Sequence, residues 1–248
     1  MDMYSGIARA QDMLKAVLMD VGGTLWPDRL TGRFADEPCL ARLAALVPEL
    51  DAAACLIALR EALRADDRSP VQDTHAVLAR ALQALGAECG PERLVAIRGA
   101  ICAPAVPGIA LFPGARELLE SIYELGMDCV VLSNVQVRGA DEYWRDFADL
   151  GIAHLIDAVV TSLEVRFRKP HHAMFQAGLV AARCSPAECV MVGDSELKDI
   201  EPARRLGMRT IRVSVEEPPS AATCAHATAI SLRQAQSILR EWAAVRRC

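Results

Sequence analysis

A few residues in this chain have side chains that chemistry uses and packing does not ask for. Asp20 ends an apolar run, Ala16-Val17-Leu18-Met19, and leads through Val21 into Gly22-Gly23-Thr24. A carboxylate at the tip of a buried strand can act as a nucleophile. Glycines after it let backbone N–H groups approach an anion, and the Thr24 hydroxyl adds a donor. Later apolar runs end or are followed in the same way: Ser133 with Asn134, then Lys169, then Asp194 with Ser195, and Asp199 in the same loop. Asp20 and Asp194 carry the hard oxygens that Mg²⁺ prefers. Ser133 and Lys169 carry donors for phosphate oxygens. Together these residue types suit phosphoryl chemistry beside a divalent cation.

These residues need elements to hold them. Residues 16–19 read as a short, fully buried strand. Residues 26–37 read as loop, punctuated by Pro27 and Gly32. From Cys39 the apolar spacing turns helical: Leu40, Leu43, Leu46, Val47 and Leu50, then Leu56, Leu59 and Leu63. A third helix is expected over 71–85 and a fourth over 92–101, opened by Pro91. Residues 103–113, with Pro104, Pro107, Gly108 and Pro113, read as a returning linker. Beyond it helix and strand alternate: helices at 115–124, 141–150, 172–182 and 198–206, strands at 129–133, 158–161, 190–194 and 209–215. A weak strand at 227–230 and a helix at 232–245 close the chain. Such alternation predicts an α/β fold, a doubly wound, parallel, Rossmann-like sheet with right-handed crossovers. The expected division is a core of residues 13–30 and 106–248, with an all-helical cap domain, 31–105, inserted after the first strand. An insertion of that length is no ordinary connection. In open parallel sheets ligands bind at the carboxyl ends of the strands, where the cap would stand over them.

Composition narrows the class. The chain has 248 residues, of which 52% are apolar, enough for a substantial core. Its net charge of −5 lacks the basic excess of a nucleic-acid binder. No apolar run is long enough to span a membrane. The nine cysteines form no Cys-x-x-Cys pair, which speaks against a disulfide framework or zinc site and for a reducing, cytoplasmic setting. The N-terminal residues lack the apolar core of a signal peptide. Nothing in the pattern decides oligomeric state; a homodimer is compatible with it.

In order along the chain, Asp20-Val21-Gly22-Gly23-Thr24-Leu25, Val131-Leu132-Ser133-Asn134, Arg168-Lys169-Pro170 and Val192-Gly193-Asp194-Ser195 through Asp199 resemble the four motifs of the haloacid dehalogenase-like hydrolases. The phrase Phe112-Pro113-Gly114-Ala115-Arg116-Glu117-Leu118-Leu119 is similar to members with a helical cap after the first motif. The resemblance covers about residues 15–215 and implies roles. Asp20 would be the nucleophile and form an aspartyl-phosphate. Ser133 would bind the transferring phosphoryl group, with Gly23, Thr24 and Asn134 around it. Lys169 would neutralise charge between phosphate and Asp20. Mg²⁺ would be held by Asp20, the Gly22 carbonyl and Asp194, with Asp199 as direct or water-mediated support; Asp199 also reads as a helix N-terminal residue. The substrate would be a small phosphorylated metabolite.

One departure stands out. Phosphatases of this family carry a second aspartate two residues after the nucleophile, as general acid and base; here that residue is Gly22. General acid–base help is worth ~10²–10⁴-fold. The backbone carbonyl for Mg²⁺ survives the change, and the proton shuttle does not. Asp28, a cap residue, His171 or His172 could replace it. The leaving group could need no proton, as in acyl phosphates, or the bond cleaved could be that of a phosphonate. A weakened hydrolase scaffold serving as a binding or regulatory protein is the non-enzyme rival. Asp194 and Asp199 speak against the metal-free dehalogenases. A sugar-kinase reading of Asp20-Val21-Gly22-Gly23-Thr24 lacks the second glycine-rich motif, and a mutase would need the missing carboxylate.

Overall fold

The computed structural model describes residues 13–27, 36–102, 109–216 and 222–244. Its centre is one parallel sheet of six strands: β1 (Ala16–Met19), β2 (Asp128–Ser133), β3 (Ala158–Thr161), β4 (Cys189–Gly193), β5 (Arg209–Val213) and β6 (Ala227–Ala229). They lie in the order β3-β2-β1-β4-β5-β6. The weakly patterned 227–230 segment does form the edge strand beside β5. The all-apolar β1 feeds two cores, as a strand covered on both faces must. Val17 and Met19 face a cluster with Leu118, Ile122, Phe147 and Leu239, while Ala16 and Leu18 face one with Met174, Phe175 and Met208. The first cluster is covered by α5 (Ala115–Glu124), α6 (Ala140–Asp149) and α10 (Leu232–Ala244), the second largely by α8 (His172–Ala181).

The chain leaves β1 toward β2 and β3, then returns past β1 to β4. The strand order therefore reverses between β1 and β4, and a crevice opens outside their carboxyl ends. Met19 is in register with Val131 of β2 and Val192 of β4. Asp20 continues that register, and its N–H donates to the Val192 carbonyl at 2.9 Å.

Between β1 and α5 the described residues form four helices, α1 (Asp36–Leu46), α2 (Ala52–Asp66), α3 (Thr74–Ala84) and α4 (Pro91–Ile101). Their apolar stripes meet in a separate cluster that includes Leu43, Leu59, Leu78, Leu82 and Ile97. Asp51 and Asp73 cap α2 and α3, accepting the N–H groups of Ala54 and Ala76 at 2.7 and 3.0 Å.

Two expectations shift. The helix expected from residue 71 begins at Thr74 instead. Val71 pairs antiparallel with Phe167, and the Gln72 N–H donates to the Arg166 carbonyl at 2.9 Å, so tertiary pairing takes these residues from the helix. The helix expected at 198–206 is α9 (Glu201–Arg205), preceded by one wide π-type turn over Glu196–Ile200. Pro202 has no N–H for the ordinary bond back to Lys198, and such wide turns are frequent at functional sites. Among the described residues, no helix is long and apolar enough to cross a membrane.

Candidate active site

Asp20 is buried where β1 ends, and its turn is closed by its own backbone. The N–H groups of Thr24 and Leu25 donate to the Val21 carbonyl, and that of Gly23 to the Trp26 carbonyl. Gly23 has φ +74°, a left-handed conformation natural only to glycine. A Cβ there would also meet Asp194 Oδ2 at 2.6 Å, so the absent side chain makes room for a second carboxylate. The Thr24 hydroxyl donates to Asp20 Oδ2 at 3.0 Å. Gly23 and Thr24, expected as phosphate donors, thus spend those N–H groups and the hydroxyl on shaping the turn and orienting Asp20.

Lys169 lies at the centre. Its ammonium donates to Asp20 Oδ1 at 2.6 Å, to Asp199 Oδ1 at 2.7 Å and to the Leu132 carbonyl at 2.8 Å. All three groups are buried. Burial alone would push the ammonium pKa down; Asp199 and Asp20 outweigh it and hold Lys169 above its ordinary range. Asp199 is raised to about 6, chiefly by burial and against the pull of Lys169. The wide turn places it there: Ser195 N–H donates to Asp199 Oδ2 at 3.2 Å, and a Cβ on Gly193 would lie 2.7 Å from the Asp199 carboxyl carbon. One Asp199 oxygen thus accepts from the start of the wide turn while the other accepts from Lys169.

Asn134 lies beside the crevice, yet its amide is spent on structure. Oδ1 accepts the Lys169 N–H at 2.7 Å and Nδ2 donates to the Lys169 carbonyl at 2.9 Å. It fixes the backbone that carries the lysine. Ser133 is buried with its hydroxyl 2.9 Å from the Tyr143 hydroxyl. Tyr143 was invisible in the sequence, where nothing ties a tyrosine on α6 to a serine ten residues earlier. Trp26 stacks on Tyr143, ring centroids 5.9 Å apart, and joins Phe147 in an aromatic wall. His171 caps α8 by accepting the Ala173 N–H at 3.2 Å and stacks on Phe167, which accounts for it without a proton-transfer role. Asp28 lies outside the described residues.

Asp20, Asp194 and Asp199 bring one carboxylate oxygen each within 4.8 Å of the others. Three hard carboxylates gathered in one place, with two glycines keeping space for them, fit an oxygen-preferring divalent cation such as Mg²⁺. The Gly22 carbonyl is on the same turn.

Over the crevice the loop between α2 and α3 is tied to the segment that carries Lys169. Arg168, 4% exposed, donates through Nη1 to the carbonyls of Ser69, Asp66 and Val71 at 3.0–3.3 Å and through Nη2 to the Asp66 carboxylate at 3.1 Å. Its own N–H donates to the Pro70 carbonyl at 2.9 Å. Arg166 pairs with Asp73, and Arg98 Nη1 donates to the Val137 carbonyl, both at 2.5 Å. Sequence patterning carried no sign of this seam.

Comparison with known proteins agrees with the geometry. The family described as haloacid dehalogenase-like hydrolase matches residues 101–213. A glyceraldehyde 3-phosphate phosphatase of Methanothermobacter thermautotrophicus is 34% identical over 215 residues, 82% of this chain and 87% of that protein. A ribulose-1,5-bisphosphate 5-phosphatase of Halopiger xanaduensis is 27% identical, over 91% of this chain and 95% of its own. The frog (Xenopus laevis) haloacid dehalogenase-like hydrolase domain-containing protein 3 is 36% identical over 110 residues, which is only 43% of that protein. In fold, the chain is similar to a 2-haloacid dehalogenase of Pseudomonas syringae pv. tomato, TM-score 0.63 at 23% identity, covering 93% of this chain and 100% of that one. With four motifs in order whose polar residues meet around Asp20, and a relative matched over most of both lengths, the chain belongs to the haloacid dehalogenase-like hydrolases.

Proposed function

We propose that the protein is a Mg²⁺-dependent phosphatase of small phosphorylated metabolites that works through an aspartyl-phosphate on Asp20. The observation that carries this reading is the buried Lys169 ammonium held between Asp20 and Asp199. It holds Asp20 aimed at the crevice, where the carboxylate attacks phosphorus in line with the leaving oxygen. Ser133, oriented by Tyr143, donates to a phosphoryl oxygen. Asp20, Asp194, Asp199 and the Gly22 carbonyl would hold Mg²⁺, which would supply charge neutralisation for the phosphoryl group. Relatives named as phosphatases of glyceraldehyde 3-phosphate and ribulose-1,5-bisphosphate support a substrate of that size and charge. The segment 31–105 acts as a cap that excludes water and selects the substrate. The net charge speaks against nucleic acid as partner, the described residues hold no helix that could cross a membrane, and the described cysteines, none of them in a disulfide, suit a reducing cytoplasm.

Gly22 favours a second reading within the same chemistry. Without a general acid on the turn, leaving groups that need no proton should react best. Phosphate release from p-nitrophenyl phosphate, acetyl phosphate and glyceraldehyde 3-phosphate, with and without Mg²⁺, tests both. Mg²⁺-dependent release from all three, lost in Asp20→Asn, supports the phosphatase. Release from acetyl phosphate alone supports the narrower reading, and release from none overturns both.

A further inference from the structure

The seam over the crevice holds a buried acceptor with no partner. Gln72, 1% exposed, sits between the two loops that frame Lys169. Its N–H donates to the Arg166 carbonyl, three residues before Lys169, and its Nε2 donates to the Gln136 carbonyl at 3.2 Å, two residues after Asn134. The orientation of its amide is forced. A carbonyl can only accept, so the atom facing Gln136 must be nitrogen. The Thr74 hydroxyl gives its one proton to the same Gln136 carbonyl at 2.9 Å, so toward Gln72 Nε2, 3.0 Å away, it too must accept. Oε1 is thereby turned away from both, and it is buried without a hydrogen-bond partner. A buried acceptor left unmatched is costly, and native proteins rarely keep one without a use.

We propose that Gln72 Oε1 is a specificity determinant: it accepts a hydrogen bond from a hydroxyl on the organic part of the phosphate ester. The inference rests on the phosphate-ester reading above and names its substrate class, hydroxylated rather than plain alkyl phosphates. A neutral amide oxygen suits a neutral hydroxyl. The carboxylates of the same loop that would suit an ammonium, Asp66, Asp67 and Asp73, each lie within 4.0 Å of an arginine, Arg168 for the first two and Arg166 for the third. Because Nε2 is anchored to backbone on the core side, Oε1 is held rigid, and rigidity lets one hydrogen bond discriminate.

The test measures binding without turnover. Calorimetry on the full chain carrying Asp20→Asn, with Mg²⁺, compares glycerol 3-phosphate, 1-propyl phosphate and O-phosphoethanolamine. Glycerol 3-phosphate should bind about ten-fold more tightly than 1-propyl phosphate, the loss expected for one unmatched buried partner. Adding Gln72→Met should erase that ratio. Adding Gln72→Glu should shift preference toward O-phosphoethanolamine, a gain that a misfolded variant could not produce. Equal affinities for glycerol and propyl phosphates, a ratio unmoved by Gln72→Met, or a parent preference for the ammonium ester each overturns the inference. If the unsubstituted protein still releases phosphate, the phosphatase reading survives that failure; if it releases none and the Asn variant binds no ester, both fall.

Discussion

The floor of the crevice and the seam above it are both buried and both polar, and they are built by opposite means. On the floor, side chains meet side chains: Lys169 with Asp20 and Asp199, Thr24 with Asp20, Ser133 with Tyr143. In the seam, side chains mostly meet backbone: Arg168 with three carbonyls of the 66–71 loop, Gln72 and Thr74 with Gln136, Arg98 with Val137. The floor depends on residue type at the tips of strands. The seam depends on carbonyls that any residue supplies, and so on the path of two loops. Substitutions on the floor should therefore reach rate whatever else they do, and those in the seam should act first on how the helical segment fits its core.

The sharpest break is at Asp20. Asp20→Asn keeps the shape, removes the nucleophile and leaves Lys169 paired with Asp199. Turnover should fall by about 10³-fold or more, with the melting temperature changed little. Activity within ten-fold of the parent would remove Asp20 from the chemistry. Lys169→Met is next. It should cost about 10²–10³-fold in rate, the scale of a lost electrostatic stabiliser. It should also destabilise by about 3–5 kcal/mol, because two buried carboxylates lose their shared partner. Denaturant unfolding beside kinetics separates the two effects; a variant as stable as the parent would mean that Lys169 is not the clamp drawn here.

The difference between floor and seam also explains what could be read in the residues. Asp20, Ser133 and Asp194 announce themselves as polar groups at the ends of apolar runs, where a parallel sheet puts ligands, and Lys169 and Asp199 as charged groups that follow such runs in the chain. Helix and strand alternation conveyed the sheet, and even the weak 227–230 segment finds its place. Asn134 and Thr24 were visible as residues but not as supports, since their partners are backbone and carboxylate atoms that only folding brings near. Residues 71–73 read as helix by spacing, and a pairing with Phe167 across some ninety residues overrides that local preference. Tyr143 and Gln72 could not be found at all: the signal for each is a contact, not a pattern.

Arg168→Met probes the seam. It removes four guanidinium hydrogen bonds and leaves the Asp66 carboxylate without its cation. The cost should be about 2–4 kcal/mol, read as a fall of about 5–10 °C in melting temperature. Arg168→Lys should recover little, since an ammonium cannot span the fork of carbonyls. Full recovery by lysine would reduce Arg168 to a charge and undo the contrast with the floor.

The smallest effect is expected where floor and aromatic wall meet. Tyr143 is buried against Trp26 and Phe147, and burial pushes its hydroxyl pKa up to about 12 despite the bond with Ser133. The phenol therefore stays neutral at any working pH, able to hold the Ser133 oxygen without adding charge beside Asp20. In the unfolded chain a tyrosine ionises near 10. Between about pH 10 and 12 the folded state keeps a proton that the unfolded state has lost, so stability must fall as pH rises through that window. Over those two units the loss attributable to Tyr143 approaches about 2 kcal/mol. Tyr143→Phe should cost about 1 kcal/mol near neutrality by leaving Ser133 without its partner, and slow turnover by a few-fold. It should also flatten the alkaline limb of the stability profile, because phenylalanine has no proton to keep. Equilibrium denaturation of parent and variant between pH 8 and 11.5 measures both. Parallel alkaline limbs would mean that the Tyr143 hydroxyl reaches water, and the wall that dries the floor of the crevice would be open.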